Sequence, residues 1–455
     1  MMRVTQHPAW LRVATLAVMS LVVLSLVVFE LSGEASRELS VLSSTPTGKK
    51  VMIIGGTGRI GTATAAHLLL RKGATKVVLA GRNEAKGLSA VAEVLRDAKM
   101  GPECVWFRKV DWRDRESLQK ALSEEKVDAV VHTAGPYNNE HPEVLRTAIN
   151  LGIPVYVDVS DPIPYLEAAK AMGPEAEKKG TIALCSAGAF PGLSNVLAME
   201  CAGRLGEEVK DLDFSYFTAG LGGSGDVNLL ITNEGFGEPM LVFRGGKLTE
   251  EPTAGLQPRR VKFYLHPNEK SADLVGERTV WNWPFPESAT VASELKITGD
   301  SSIGMGTAPD IWNVILGGLV SLVPRPWWRS RAFSTGLAKF SEPMVKFTDQ
   351  LVGETHAMRI DVEGKSGRRV SAVQAHESFR QIVGQSCAEF TTALLEGLGE
   401  EEERPAAGVF TPETLFAKRG PRSKLLDRML HVKGTLNYGF EESLSGSRVR
   451  KEKSI

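Results

Sequence analysis

The sequence predicts an α/β protein with two domains, and two patterns carry this prediction. Between residues 50 and 210, short aliphatic runs alternate with longer amphipathic stretches, which is typical of parallel strands joined by right-handed helical crossovers. A glycine-rich loop at 55–61 follows the first aliphatic run directly and precedes a helical stretch. The first domain is therefore predicted to be a Rossmann-type, doubly wound parallel sheet, followed by a second α/β domain.

The individual elements follow the same alternation in chain order. Strands are predicted at 50–54, 76–80, 104–110, 128–134, 154–159 and 181–187. Helices are predicted near 59–72, 84–99, 114–123, 140–151, 162–179 and 193–205. Beyond about residue 206 the pattern changes to a strand at 211–220, a hairpin whose arms at 356–364 and 368–376 flank Lys-Ser-Gly, and a helix at 379–397.

The predicted organisation has four segments. Residues 1–49 form a hydrophobic targeting or anchor segment with a linker, and 50–210 form the dinucleotide-binding domain. The second domain occupies 211–415, and 416–455 form a C-terminal extension. The tail after about Gly434 is predicted to be disordered.

The composition excludes some classes of function. The chain has 455 residues, more than one ordinary core accommodates, so two domains are expected. Lys plus Arg and Asp plus Glu both total 54, so no excess of positive charge points to nucleic-acid binding. The four cysteines, at 104, 185, 201 and 387, include no C-x-x-C pair and no His at metal-ligand spacing. We therefore expect reduced thiols and no metal site.

A long apolar run lies near the N-terminus. Residues 13–29 include no charged side chain, and Arg3 and Arg12 precede them. The run predicts a signal anchor or targeting segment, and hence a membrane-associated or organelle-targeted protein, in a plastid or the endomembrane system. A second apolar run at 311–323 precedes Trp327 and Trp328. It suits either a helix buried against the sheet or a contact with a bilayer interface.

The glycine spacing at 55–61 predicts a phosphate-binding loop. Gly55 permits a tight exit from the first strand, Gly58 lets the backbone approach a pyrophosphate, and Gly61 lets the following helix pack closely. The helix N-terminus adds free N–H groups and a partial positive charge. The residues predicted to contact the phosphates are Gly55, Thr57, Gly58, Arg59, Ile60 and Gly61.

The end of the second strand indicates which dinucleotide binds. An NAD site places Asp or Glu there to bond the ribose 2′-hydroxyl, but this chain has Arg82 and Asn83. A guanidinium fits the 2′-phosphate, so the sequence favours NADP over NAD. Asp111, after the third strand, is the predicted adenine neighbour. The residues predicted to let the backbone approach the ribose and nicotinamide are Ala134, Gly135 and Pro136.

The ordered set of strand-end motifs resembles a known family. Besides the glycine loop, the set comprises AGRN at 80–83, AGPY at 134–137, YVDVSD at 156–161 and SAGAFPGLSN at 186–195. With them the chain resembles the saccharopine-dehydrogenase-like oxidoreductases, and in particular their plant and algal branch of uncertain substrate. FSYFTAGLGGSG at 214–225, GTAP at 306–309 and AGVFTPE at 407–413 extend the resemblance over roughly 50–415.

The resemblance has implications for fold and chemistry. It implies a second α/β domain with a mainly antiparallel sheet, and a C-terminal part that returns to the first domain. It also implies NAD(P)-dependent oxidoreduction, which in true saccharopine enzymes takes place at a secondary amine or imine. The basic groups that hold a dicarboxylic amino acid in those enzymes have no match here, so saccharopine itself is not implied.

The proton donor or acceptor for such a reaction is left open by the sequence. Short-chain dehydrogenases use Tyr-x-x-x-Lys, and none of the six tyrosines has Lys four residues on, which excludes that mechanism. The candidates near the carboxyl edge of the sheet are Tyr137, Asp158, Asp161 and Cys185. Some also have a structural interpretation: packing for Tyr137, helix capping for Asp161 and core filling for Cys185.

The predicted function is NADP-dependent hydride transfer to or from a C=N, C=C or C=O bond of an unidentified small molecule. The alternative is a non-catalytic NADP-binding scaffold or redox sensor, which would keep the phosphate-binding loop without an acid–base residue. The expected partners are a small-molecule substrate and a membrane contacted through the N-terminal segment, without nucleic acid. A homodimer is left open.

Overall fold

The structure is a computed structural model that describes residues 48–138, 140–220, 225–397 and 405–444. The predicted targeting segment, including the apolar run at 13–29, lies outside the described residues, as does the chain end after residue 444. Within the described residues the chain forms two large sheets and one two-stranded sheet.

The first sheet is wholly parallel and covered by helices. Its strands are β1 (Lys50–Ile54), β2 (Lys76–Gly81), β3 (Val105–Lys109), β4 (Ala129–His132), β5 (Val155–Asp158), β6 (Ile182–Leu184) and β15 (Gly408–Phe410). Their order is β15-β6-β5-β4-β1-β2-β3. The connecting helices are α1 (Arg59–Leu70), α2 (Glu84–Ala98), α3 (Arg115–Glu125), α4 (Glu143–Asn150), α5 (Ile163–Lys170), α6 (Gly173–Lys179) and α7 (Leu193–Leu205). The predicted Rossmann-type domain is confirmed.

Two features of this sheet differ from the prediction. The helix predicted at 162–179 is two helices, because Pro174 lies in the first turn of α6 and cannot continue α5. The short strand β15 pairs in parallel with β6 and extends the sheet from a distant part of the chain.

Both faces of β1 are buried: Val51 and Ile53 belong to one core cluster, and Met52 and Ile54 belong to the other.

The second sheet is mainly antiparallel, as the resemblance implied. Its strands are β7 (Val209–Ala219), β10 (Arg259–Lys262), β11 (Glu277–Asn282), β12 (Ser301–Ala308), β13 (Thr355–Gly364), β14 (Arg368–His376) and β16 (Thr435–Leu444). Their order is β10-β11-β12-β7-β13-β14-β16, and only the neighbours β12 and β7 run parallel among these described strands. A small hairpin pairs β8 (Met240–Arg244) with β9 (Lys247–Glu251).

The remaining helices surround this second sheet or return to the first. They are α8 (Gly225–Gly235), α9 (Lys270–Leu274), α10 (Glu287–Glu294), α11 (Ile311–Leu322), α12 (Arg325–Trp328), α13 (Arg331–Val352), α14 (Phe379–Glu396), α15 (Pro412–Leu415) and α16 (Arg419–Leu430). The prediction of a disordered tail after Gly434 is wrong for residues 435–444, because β16 pairs along its length with β14.

One helix from the C-terminal half is fixed against the helix that follows the glycine loop. A Cβ on Gly384 of α14 would lie 2.6 Å from the Cβ of Ala63 in α1, so the two helices touch closely. The buried carboxylate of Glu389 in α14 accepts from His67 Nε2 at 2.8 Å and from Arg71 Nε at 3.1 Å, both of the chain segment around α1. The position of α1 therefore depends on α14.

The localisation prediction is wrong as far as the structure describes the chain. Among the described residues, no helix is long and apolar enough to cross a membrane. The membrane contact predicted through the N-terminal segment gains no support, since that segment lies outside these residues.

The second apolar run is neither fully buried nor uniformly exposed. It forms α11, in which Gly317 and Val320 are buried while Leu322 is exposed. Trp328 is fully buried, whereas Trp327 is 59% exposed. The two tryptophans therefore do not form a pair at one surface, because the Trp328 ring packs edge-on between aromatic rings of the second domain.

Candidate functional site

The three glycines of the binding loop have different roles. Gly55 has φ +81°, and a Cβ there would lie 2.7 Å from the backbone nitrogen of Ala134. A Cβ on Gly61 would lie 2.5 Å from the Gly55 carbonyl oxygen. Gly58 is exposed, and a Cβ there would meet only the Gly55 oxygen, at 3.2 Å. Gly55 and Gly61 are thus required by the fold, whereas Gly58 adjoins open space.

The start of α1 has unused hydrogen-bond donors. Gly58 is its N-cap residue and offers no side chain to its first turn. The amide N–H groups of Arg59, Ile60 and Gly61 have no acceptor among the described residues. The first turn also contains no acidic side chain. Free N–H groups at a helix N-terminus, with room above Gly58, fit the pyrophosphate of a dinucleotide.

The end of β2 adds a cation at the same edge of the sheet. Arg82 is exposed and has no ion-pair partner in the part of the chain that the structure describes. Asn83 has a structural function as well, because its side-chain oxygen accepts from Lys86 N at 3.0 Å and caps α2. Arg82 is therefore available to a ligand phosphate.

Asp111 lies beside this strand end. The Val110 amide donates to the Gly81 carbonyl at 2.9 Å, which brings the ends of β2 and β3 together. The carboxylate of Asp111 accepts from the amide of Arg113 at 3.2 Å, and the Arg113 guanidinium lies 4.2 Å from the ring centre of Trp112. Asp111 thus organises the turn that borders the predicted adenine site.

The segment after β4 contacts the glycine loop directly. The Thr133 amide donates to the Ile54 carbonyl at 2.8 Å, and Ala134 lies against Gly55. The Tyr137 hydroxyl donates to the His132 carbonyl at 2.6 Å and is buried. Burial raises the pKa of Tyr137 well above its usual range. Tyr137 therefore holds the 133–137 loop in shape, and its hydroxyl is already used.

Asp158 has a similar structural function after β5. One carboxylate oxygen accepts from the Ser160 amide at 3.0 Å, the Ser160 hydroxyl at 2.6 Å and the Ser186 amide at 3.0 Å. The other accepts from Tyr156 at 3.0 Å. The side chain is wholly buried. Asp158 thus ties the ends of β5 and β6 together, and its carboxyl group has no contact with solvent.

Cys185 and Asp161 differ in accessibility. Cys185 is buried, and its burial raises the pKa of the thiol well above its usual range, so it is no nucleophile at neutral pH. Asp161 is only partly buried, and it does not cap α5, whose N-cap residue is Pro162. Burial raises the pKa of Asp161 to about 6. Of the four sequence candidates, Asp161 alone combines access with a pKa near neutrality.

The second domain contacts the same edge of the first sheet. The Asn138 side-chain amide donates to Glu234 of α8 at 3.4 Å. Phe190, after β6, stacks on Tyr216 of β7 with ring centres 4.3 Å apart and on His356 of β13 at 5.1 Å. Residues from both sheets thus meet beside the loops that carry the predicted cofactor residues.

His356 is a residue that the sequence analysis missed. Its Nδ1–H donates to the Phe217 carbonyl at 3.0 Å, and its Nε2 is buried without a partner among the described residues. Burial lowers the pKa of His356 to about 3, so the imidazole is a neutral hydrogen-bond acceptor beside Phe190. A lone histidine in a strand pattern carries no signal for this environment, which arises from packing between the two sheets.

A buried polar network links the start of α7 to the second domain. Ser194 Oγ and Tyr216 OH donate to one oxygen of Glu287, at 3.0 and 2.8 Å. Asn195 Nδ2 donates to Glu413 at 2.8 Å. Burial raises the pKa of Glu287 to about 7. Glu287 and Glu413 were not identified from the sequence, because nothing local distinguishes them from surface carboxylates.

Comparison with known proteins concerns mainly the first domain. Residues 51–184 match the family model of the saccharopine dehydrogenase NADP binding domain. UDP-glucose 4-epimerase 2 of Arabidopsis thaliana is 36% identical over 87 residues, 19% of this chain and 24% of that protein. UDP-glucose 4-epimerase 1 of Oryza sativa subsp. japonica shows the same identity and coverage. The chain thus spans about a quarter of the length of these relatives.

Solved structures match part of the chain. Menthone neomenthol reductase from Mentha piperita is 25% identical with a TM-score of 0.18, over 19% of this chain and 32% of that one. A short chain dehydrogenase from Mycobacterium smegmatis is 19% identical with a TM-score of 0.25, over 31% of this chain and 78% of that one.

Proposed function

We propose that the chain is an NADP-dependent oxidoreductase of the saccharopine-dehydrogenase-like family, whose NADP binding domain it matches over residues 51–184. The proposed reaction is hydride transfer to or from a C=N, C=C or C=O bond of a small molecule. One observation carries the proposal. Phe190, at the edge of the first sheet where the dinucleotide is expected to bind, stacks on Tyr216 and His356 of the second sheet. A pure binding scaffold does not require a second domain against this edge.

The cofactor residues are proposed from the geometry of the edge. The open space above Gly58 and the free first-turn amides of α1 would hold the pyrophosphate. Arg82 would bind the 2′-phosphate, and the 134–136 backbone would border the ribose and nicotinamide. The bound cofactor supplies or accepts the hydride.

Asp161 is the proposed proton-exchanging residue. The hydroxyl of Tyr137 and the carboxylate of Asp158 are already hydrogen-bonded to the loops that form the edge, and Cys185 is buried as a thiol. Asp161 lies in the loop directly after β5, the strand that ends at Asp158, and its side chain is partly accessible. With a pKa of about 6, its carboxyl group is protonated at acid pH and can donate the proton to the substrate atom that takes the electron pair of the double bond when hydride adds to carbon. Such proton transfer typically contributes about 10²–10⁴ in rate.

The test is NADPH oxidation with a panel of ketones, enones and cyclic imines, at pH 5 to 8. We expect turnover of at least one class, with deuterium delivered from 4-deuterated NADPH to carbon in the product. The reduction rate should fall above about pH 6, as Asp161 loses its proton.

The Asp161→Asn variant separates catalysis from binding. It should lose this pH dependence and most of the rate while binding NADPH normally. Glu167→Gln, an exposed change on α5, is the matched control and should behave as wild type. If NADPH binds but no deuterium reaches any product, including metabolites of a cell extract, the scaffold or redox sensor is the better description. An unchanged pH profile in Asp161→Asn would remove Asp161 from the mechanism.

A further inference from the structure

An apolar cavity lies in the second domain, bounded by α8, α11, α13 and the second sheet. Its volume is about 180 Å³, compared with about 150 Å³ for an engineered apolar cavity that holds benzene. Aromatic side chains contribute much of its lining, including Phe236, Trp281, Trp283 and Trp312. The cavity is therefore large enough for an organic molecule and lined to hold an apolar one.

The polar groups of the lining are largely paired with the protein itself. The Asn313 side chain donates to the Thr307 carbonyl at 2.7 Å and accepts from the Thr307 amide at 3.1 Å. The indole N–H of Trp312 donates to Thr348 Oγ1 at 3.0 Å. These contacts leave mainly carbon surface for a ligand, because the polar atoms near it are already satisfied.

The charge of the lining excludes an anionic ligand. Asp349 is the charged residue among the described lining residues, and no Lys or Arg accompanies it there. A carboxylate or phosphate would therefore lose its hydration without gaining a cation. The indole Nε1 of Trp281 is buried without a partner among the described residues. A neutral ligand oxygen that reached this donor would satisfy it.

The cavity is open to solvent on one side, between α11 and α13. Ile315, Phe340 and Met344 line the cavity and are also exposed, Phe340 by 73%. A ligand can therefore enter past these side chains without unfolding of the domain. Contiguous exposed apolar side chains, such as these three at one opening, often mark a binding site.

We propose that this cavity binds the apolar chain of an uncharged small molecule, namely an aliphatic alcohol, aldehyde or ketone. Compared with the benzene-sized cavity, its volume of about 180 Å³ accommodates roughly seven carbon atoms. The inference does not depend on the proposed oxidoreductase function, because binding is measured without cofactor and without turnover.

The test is calorimetric titration of residues 1–455 with butan-1-ol, hexan-1-ol, octan-1-ol and octanoate at pH 7. For the alcohols, we expect the affinity to rise about fourfold per added methylene, since each burial of a CH₂ is favourable by a fixed increment. Octanoate should bind at least about tenfold more weakly than octan-1-ol, because its carboxylate would lie in a site without a cation.

Matched variants locate the binding. Leu316→Trp places a larger side chain in the lining and should abolish octan-1-ol binding, whereas Leu322→Trp makes the same change at an exposed position of α11 outside the lining and should leave it unchanged. Far-ultraviolet circular dichroism checks folding, and Ile315→Trp at the opening replaces Leu316→Trp if that variant unfolds. The proposal is overturned by absent alcohol binding, by octanoate binding as tightly as octan-1-ol, or by full binding in a folded lining variant.

Discussion

The Arg82→Ala substitution tests the cofactor assignment at a single side chain. Arg82 follows β2 directly, is exposed, and has no ion-pair partner among the described residues. Truncation therefore removes no contact that holds the ligand-free protein together. The free energy of unfolding should change by no more than about 0.5 kcal/mol, as for other surface substitutions.

The loss of affinity follows from the chemistry of the 2′-phosphate. A hydrogen bond to a charged group contributes about 1.5–3 kcal/mol, and every 1.4 kcal/mol changes Kd about tenfold. NADPH should therefore bind to Arg82→Ala about 10- to 100-fold more weakly than to wild type. NADH lacks the phosphate, so its Kd should hardly change.

The assay is a pair of fluorescence titrations, with NADPH and with NADH, at one fixed salt concentration, because exposed charges are screened by salt. Arg96→Ala is the matched control. This substitution also removes one positive charge, but from the last turn of α2. That turn lies roughly 20 Å from Arg82 along the helix, at 1.5 Å per residue. Arg96 pairs only with the exposed Asp97 among the described residues, so neither Kd should change in this variant.

Two results would refute the reasoning. Equal losses for NADPH and NADH in Arg82→Ala would mean that the side chain supports the turn before α2 and does not contact the phosphate. Tighter binding of NADH than NADPH by the wild type would contradict the role of Arg82 in choosing between the two cofactors.

Three further perturbations follow from the geometry. Gly58→Val should abolish NADPH binding while Tm stays within a few degrees of wild type, because its Cβ meets only one backbone oxygen, at 3.2 Å; a large fall in Tm would show that Gly58 supports the fold. Glu389→Gln should lower the free energy of unfolding by roughly 3 kcal/mol in urea titrations at pH 7. The reason is that Arg71, at the end of α1, and Arg428, in α16, would lose the buried carboxylate with which they pair. Burial alone would raise the pKa of Glu389, but the hydrogen bond from His67 and the nearby Arg428 and Arg71 lower it to about 2, so this stabilisation is present above about pH 4.5 and is lost as pH falls toward 2; a wild-type stability that does not fall over this range would contradict it. Glu287→Gln should be at least as stable as wild type at pH 8, because a folded-state pKa raised from 4.5 to about 7 costs the wild type up to about 3 kcal/mol as pH rises through that window. If Glu287→Gln were less stable than wild type at both pH 5 and pH 8, the prediction would be wrong, and the fold would require the carboxyl group itself at this position.

Local patterns in the sequence determined the first sheet and its binding loop. The six strands from β1 to β6 were recognisable because each is a short apolar run followed by an amphipathic helix. Gly58 and Gly61 were recognisable because the atoms that a Cβ on either would meet lie within the same seven-residue loop, whereas Gly55 is also constrained by Ala134 from a distant segment. Such information lies within a short window of the chain, where strand and helix periods are expressed directly.

Elements with weak local signals needed the tertiary structure. The strand β15 has only three residues, and it joins the first sheet because β6 offers it an unpaired edge. The strand β16 mixes the carboxylates Glu441 and Glu442 with apolar residues and becomes a strand by pairing with β14. The first segment is too short and the second too polar to be recognised as strands from the local pattern, so long-range hydrogen bonds decide both.

The functions of single polar residues depended on the tertiary structure most of all. From the sequence, Asp158 and Asp161 were equivalent carboxylates at one strand end. The fold gives Asp158 an amide partner 28 residues away, at Ser186, and leaves Asp161 partly open to solvent. Likewise Asn195 finds its partner Glu413 at a separation of 218 residues. Burial and hydrogen-bond partners set the protonation of a carboxyl group, and for these residues both are fixed only when distant segments pack together.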